Sequence, residues 1–289
     1  MSNILRNYLL LLSLVLIWGS SFLLNNRSLT FFTPEQVVTS RLLIGFIVMI
    51  PILFATKRSL PRSIQTWLHF FIFATVGSII PFTLISYGQL TITSGMAGLL
   101  MSLMPLVTLI LAHYFLPNDK LNRYKLLGFI LGITGVLFIL GPSIINSNNT
   151  VFGILLVLAA ACSYSFNTII TNRLPSYDPL VATTGTFLVG TALCFLIWPQ
   201  VTSVQFHDIS LIAGSSVIAM GVFQTALAGV IYFFLINNAG ATFLSNINYL
   251  IPVVAYLLGS FVLSEPILWH DLLALIVIVS GILLSRYRS

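Results

Sequence analysis

The side chains that could contact a polar solute are few, and they sit inside long apolar runs. They are Trp18, Ser21, Asn25, Arg41, Tyr87, Tyr164, Asn167, Gln224, Tyr232 and Asn248. Trp18, Ser21 and Asn25 recur at spacings of three and four, which puts them on one face of a helix. Ser163, Asn167 and Thr171 do the same. A site lined by Trp, Tyr, Asn and Gln without formal charge would suit a zwitterionic or neutral molecule. The competing use of Trp and Tyr is anchoring at a membrane interface. Arg41 is the one Lys or Arg well inside a run rather than at its end. An arginine at such depth costs roughly 3 kcal/mol unless it snorkels or finds a partner. It either reaches the interface or contacts a substrate carboxylate or helix-end carbonyls, and we expect it in the outer part of a translocation path.

Two runs place small residues on one helix face. Ser94, Gly95, Gly98, Ser102 and Pro105 form the first, and Thr242, Ser245, Asn248 or Tyr249, and Pro252 form the second. Small residues let helix backbones approach closely, and the same faces could line a cavity. Gly95, Gly98, Ser245 and Asn248 are therefore substrate-binding candidates. Pro105 and Pro252 each free a backbone carbonyl and permit a bend, so both are hinge candidates. Gly128, Gly132 and Gly135 make a further stripe. Its equivalent near the C-terminus is interrupted at Ile278, so a homodimer through it is possible but not predicted.

What is missing narrows the chemistry. The six acidic residues, Glu35, Asp119, Asp178, Asp208, Glu265 and Asp271, all lie at run ends or in loops. A carboxylate proton relay at mid-membrane is not expected. His113 lies inside a run but near its end, where a pairing or snorkelling role is expected. Cys162 and Cys194 read as apolar fillers, and no metal-ligand spacing appears. No Gly-rich phosphate loop ending in Lys-Ser/Thr is present, so neither ATP nor another cofactor is implied. Glu265, His270 and Asp271 are the one grouping an enzyme could use, and no nucleophile or metal motif accompanies them.

These groups must be positioned by membrane helices. The chain has 289 residues, 58% hydrophobic and 6% charged, with formal charge +6. Its mean hydropathy is +1.05. Soluble domains carry about 25% charged residues, so lipid must solvate this chain. The scattered cations argue for orientation in a bilayer rather than for nucleic acid binding. Runs of about 20 apolar residues number ten: roughly 8–25, 35–55, 67–88, 93–116, 124–141, 151–172, 178–198, 209–235, 240–263 and 271–285. With the N-terminus in the cytoplasm, ten Lys and Arg residues fall on the cytoplasmic side and only Arg27 falls outside. That bias predicts cytoplasmic N- and C-termini.

The chain also echoes itself. Leu84–Pro105 and Ile231–Pro252 share a layout at an offset of 147. Asn26-Arg27 matches Asn172-Arg173, Asp119 matches Glu265 and Gly135 matches Gly281, each at 146. Two five-helix halves follow, residues 1–142 and 151–289, with a linker at 143–150. Because five is odd, the second half is inverted, an arrangement used by secondary transporters. The two echoing hairpins are expected to turn near Gly88–Thr93 and near Asn237–Gly240, at opposite ends of one pathway.

Several runs resemble the EamA family of the drug/metabolite transporter superfamily. They are Trp18-Gly19-Ser20-Ser21-Phe22, Arg41, the small-residue start and Pro105 of span four, and Asp119-Lys120-Leu121. The glycines of span five, Pro252 and Leu263-Ser264-Glu265-Pro266 complete the set. The resemblance covers nearly the whole chain. Pro117-Asn118-Asp119-Lys120 departs from it, as does Ser163-Tyr164-Ser165-Phe166-Asn167, which stands where a second Trp-Gly run would fall. It implies an all-α integral membrane protein with ten transmembrane helices as two inverted five-helix repeats around a central cavity. Spans three, four, eight and nine would form the core, with five and ten at the periphery. It further implies a bacterial inner-membrane carrier exporting small polar metabolites such as amino acids. The alternatives are an uncoupled facilitator for another metabolite or drug class, and a polytopic membrane enzyme. The expected partners are a small-molecule substrate and the lipid bilayer.

Overall fold

A computed structural model describes residues 3–116, 121–146, 148–203, 209–244 and 247–285. Asp119, Asp208 and Ser245 lie outside the described residues. Every regular element among the described residues is helical. Among the described residues, eight helices are long and apolar enough to cross a membrane. They are α1 (Ile4–Ser28), α2 (Pro34–Ala55), α3 (Ile64–Gly88), α4 (Ser94–Phe115), α5 (Arg123–Gly141), α6 (Thr150–Arg173), α7 (Pro179–Ile197) and α8 (Leu211–Tyr232). Two apolar helices follow, α9 (Ile247–Leu263) and α10 (Trp269–Ser285). Each of these has 17 residues. Seventeen residues rise about 26 Å, short of the about 30 Å hydrocarbon core. Among the described residues the long spans thus number eight, with two shorter apolar helices where the ninth and tenth were expected.

One expected turn is absent. The helix that begins in α8 continues through Ala228–Leu244, across the Asn237–Gly240 segment. Asn238 donates from Nδ2 to the carbonyl of Phe234 at 2.8 Å. Its amide folds back on its own helix instead of starting a turn, and no proline interrupts the ladder. The other expected turn is present, between Gly88 and Ser94.

Helix starts follow from local chemistry. Thr33 and Gln36 form a reciprocal capping box ahead of Pro34, which sets α2. Thr93 Oγ1 accepts from the Met96 N–H to start α4. Asp178 Oδ1 accepts from the N–H groups of Leu180 and Val181 to start α7. Its other oxygen takes Arg58 Nε at 2.7 Å.

The helices pair in a pattern that exchange of the halves preserves. α5 packs on α10, α2 on α7 and α4 on α9. α3 and α4 pack on α6, and α8 and α9 pack on α1; α2 meets α8 as α7 meets α3. Glycine sets the closest approaches. A Cβ on Gly98 would strike the Ala255 side chain, and one on Gly128 would strike the Gly281 carbonyl. The glycine stripe of α5 is thus used inside the chain, against α10 at Gly128 and Gly135 and against Leu106 of α4 at Gly132. The largest core cluster joins Phe22, Leu99, Leu100, Ile139, Val157 and Tyr256 from both halves. Leu16, Phe54, Leu137, Leu196 and Phe261 are exposed and form part of an apolar perimeter. α4 and α8 are the most enclosed spans, with 56% and 50% of their apolar windows buried against 28% for α1 and α3.

Candidate functional site

The interior polar groups assemble around two π-helical turns. α3 contains one at Thr75–Ile79 and α8 contains one at Met220–Leu227. A π-turn breaks the i→i−4 ladder and frees carbonyls for other donors. In each case a side chain from the other half supplies one. Trp18 Nε1 on α1 donates to the Gln224 carbonyl at 3.2 Å. Ser163 Oγ on α6 donates to the Val76 carbonyl at 2.7 Å. Trp18 and Ser163 are 145 residues apart, close to the repeat offset. The π-turns occur at matching places in the two halves, although their sequences, Thr75-Val76-Gly77-Ser78-Ile79 and Met220 to Leu227, share little.

The π-turn of α8 also holds Arg41. Arg41 Nε donates to Thr225 Oγ1 at 3.0 Å. Thr225 passes its own proton to the Met220 carbonyl at 2.9 Å, so its lone pairs face the guanidinium. Arg41 Cζ lies 3.9 Å from the centroid of the Phe82 ring on α3, a cation–π contact. Tyr164 on α6 meets the same ring edge-on, with centroids 6.4 Å apart. Arg41 from α2 is therefore surrounded by α3, α6 and α8, and its partners lie within the bundle.

Gln224 is buried and links two helices. Its Nε2 donates to Ser20 Oγ at 3.2 Å, while its Oε1 is sealed without a partner. Asn167 lies against Gly77, where a Cβ would stand 2.8 Å from its amide, and its Oδ1 is likewise unpartnered. Trp18 packs on Tyr232 with ring centroids 5.7 Å apart. Trp18, Arg41, Tyr164, Asn167 and Gln224 thus converge on α3 and α8.

The remaining candidates lie elsewhere. Ser21 Oγ donates to the Trp18 carbonyl of its own helix. Tyr87 is 39% exposed, and its hydroxyl donates to the Glu35 carboxylate at the mouth of α2. Gly95 and Gly98 face Tyr256 and Ala255, at the α4–α9 contact. Asn248 stands in the first turn of α9. Pro105 opens the second segment of α4, just after a break at Ser102–Leu103, and Pro252 sits inside α9. Ser165 on α6 bonds the Met104 carbonyl beside that break.

Asn25 and Glu265, both noted in the sequence, find partners that the sequence did not indicate. Asn25 is buried, donates to Gln89 Oε1 at 2.7 Å and accepts from Ser86 Oγ at 2.9 Å. Gln89 in turn donates to the Phe22 carbonyl. Glu265 accepts from the N–H groups of Ser94 and Gly95 at 2.7 and 2.9 Å, so it caps α4 from the far half of the chain. A cleft of about 510 Å³ opens beside it, lined by Asn26, Arg27, Thr30, Gln89, Thr93 and Glu265 among others. Asp271 bonds Tyr256 and lies 3.7 Å from His270. The acidic grouping an enzyme could use is therefore engaged in helix capping and pairing. His113 accepts from the Leu121 N–H, the pairing role expected of it.

An apolar bundle of membrane-length helices with polar groups turned inward is an integral membrane protein, and its relatives define it as a transporter. The sequence profile of the EamA-like transporter family matches twice, at residues 5–141 and 151–287. The chain belongs to the EamA-like transporter family. It is 25% identical over 279 residues to the "Uncharacterized transporter YoaV" of Bacillus subtilis, covering 96% of this chain and 95% of that one. It is 25% identical to "Protein PagO" of Salmonella typhimurium, covering 93% and 89%. A solved crystal structure at 20% identity shares the fold, with a TM-score of 0.70 over 97% of this chain and 96% of that one.

Proposed function

We propose that this protein is a secondary carrier that exports small polar metabolites, amino acids among them, by alternating access. One observation carries the reading: polar side chains from both halves meet at the paired π-turns, with Arg41 among them. Such groups are costly inside a membrane bundle and mark solute pathways. In this reading all ten helices span, and the halves 1–142 and 151–289 are inverted repeats joined at 143–150. The repeat offset, the double family match and the exchangeable helix pairing support it. α9 and α10 would then span with flanking residues at the interfaces. The Lys and Arg bias supports cytoplasmic termini, and the membrane in this reading is a bacterial inner membrane.

Exchange between open states would rearrange the Trp18–Gln224 and Ser163–Val76 bonds in turn. Pro105 and Pro252 would be the points of bending, and the Glu265-capped end of α4 one gate. An uncoupled facilitator is the second reading, favoured by the positions of the described acidic residues at helix ends or in caps. Uptake and counterflow in proteoliposomes, over a panel of amino acids and related metabolites, tests both. Accumulation that needs a proton gradient supports a coupled carrier, and equilibration without one supports the facilitator. Counterflow of no compound in the panel refutes the carrier for this substrate class.

A further inference from the structure

Arg41 is an unpaired cation inside the bundle. Its Nε is used by Thr225, but among the described residues neither terminal nitrogen has a hydrogen-bond partner. Arg41 is only partly buried, and neither terminal nitrogen is among the sealed, unpartnered atoms. The described acidic residues are engaged elsewhere. Glu35 takes the Tyr87 hydroxyl, Asp178 takes Arg58, Glu265 takes the N–H groups of α4, and Asp271 takes Tyr256. Among the described residues no carboxylate pairs with Arg41.

That asymmetry of charge has a consequence for what can bind. A guanidinium held away from bulk water without a counter-charge draws an anion strongly. Its flat fork of N–H donors matches a carboxylate in two parallel bonds. Phe82 and Thr225 fix the plane of the fork and leave its outer edge free. The same surroundings, Phe82, Tyr164 and Thr225, offer an ammonium group no carboxylate. A cation is repelled by Arg41, and a zwitterion satisfies only half of its charge.

We propose that the interior site takes organic anions that carry one carboxylate and a single net negative charge, held through the terminal nitrogens of Arg41. This rests on the interior-site reading above and narrows its substrates from polar metabolites in general to organic acids. The test uses the full chain purified in detergent, with three probes matched in size at neutral pH. They are 3-phenylpropanoate (anion), phenylalanine (zwitterion) and 3-phenylpropylamine (cation). Binding is read by the shift in thermal unfolding across a titration.

The anion should bind at least about tenfold more tightly than phenylalanine, the loss typical of one unsatisfied charged group, and the amine should bind least. Arg41→Gln should abolish that order, and Arg41→Lys should keep it at lower affinity. Arg41→Lys carries the test if Arg41→Gln does not fold: an order that disappears with lysine, where the charge remains, counts against the proposal. Equal or tighter binding of phenylalanine or the amine overturns it. So does an order that survives Arg41→Gln, or no anion binding up to about 10 mM. Counterflow of the same probes separates the two claims. Anion-selective binding without counterflow of any probe would leave this inference standing and remove the carrier. Amine counterflow unaffected by Arg41→Gln would do the reverse.

Discussion

Removing the Glu265 carboxylate should loosen the end of the bundle where the two halves meet. Glu265 accepts two backbone N–H groups, from Ser94 at 2.7 Å and Gly95 at 2.9 Å. Both are first-turn donors of α4, which have no partner within the helix. The carboxylate also sits where the helix dipole favours negative charge. Hydrogen bonds to a charged group are worth about 1.5–3 kcal/mol each. The neighbouring cleft admits water, and Thr93 still caps the Met96 N–H, so part of that is recovered on mutation. A net loss of about 2 kcal/mol remains for Glu265→Ala. For a chain of this size each kcal/mol moves the melting temperature by about 2–4 °C, giving roughly 4–8 °C. The assay is thermal unfolding of the detergent-purified protein, followed by tryptophan fluorescence. Glu265→Gln is the sharper variant. Its amide has one oxygen to accept with and turns an NH2 group toward the second N–H, so it should lose nearly as much as alanine. A glutamine variant that melts with the wild type would refute the two-bond account of this cap.

Two further expectations follow from the packing. Gly98→Val pushes a side chain into Ala255 across the α4–α9 contact, where even a Cβ has no room. It should cost about 3 kcal/mol or more, read as loss of monodisperse protein on size exclusion, and Ala255→Gly should recover part of it. Asn25→Leu leaves Gln89 and Ser86 without their shared partner in a buried position. A cost of about 2–3 kcal/mol is expected, and a melting curve that matches the wild type would show that water or a new pairing replaces the amide.

The membrane helices were legible in the sequence for a simple physical reason. A chain in lipid must satisfy its backbone within each span, so apolar length alone predicts a helix. The first-half turn at Gly88–Ser94 was equally legible, because Thr93 announces the cap that follows. The Asn237–Gly240 turn was misread because Asn and Gly favour turns by local propensity, while here the helix runs on and Asn238 satisfies itself on Phe234. At the C-terminal end the ninth helix is described from Ile247 rather than from 240, and the tenth starts at Trp269, two residues before the expected 271.

The polar interior divides in the same way. Composition and spacing alone determined that this is a membrane protein, that it is built twice over at an offset near 146 residues, and that Trp18, Arg41, Tyr164, Asn167 and Gln224 are polar groups needing internal partners. Only the tertiary structure decided which partners those are. Trp18 meets Gln224 across 206 positions and Arg41 meets Thr225 across 184. Glu265, which the sequence places only outside the apolar runs, caps a helix 171 positions away. No local pattern encodes such pairs, because each depends on where a π-turn frees a carbonyl or a helix start leaves its N–H groups open once the halves have packed.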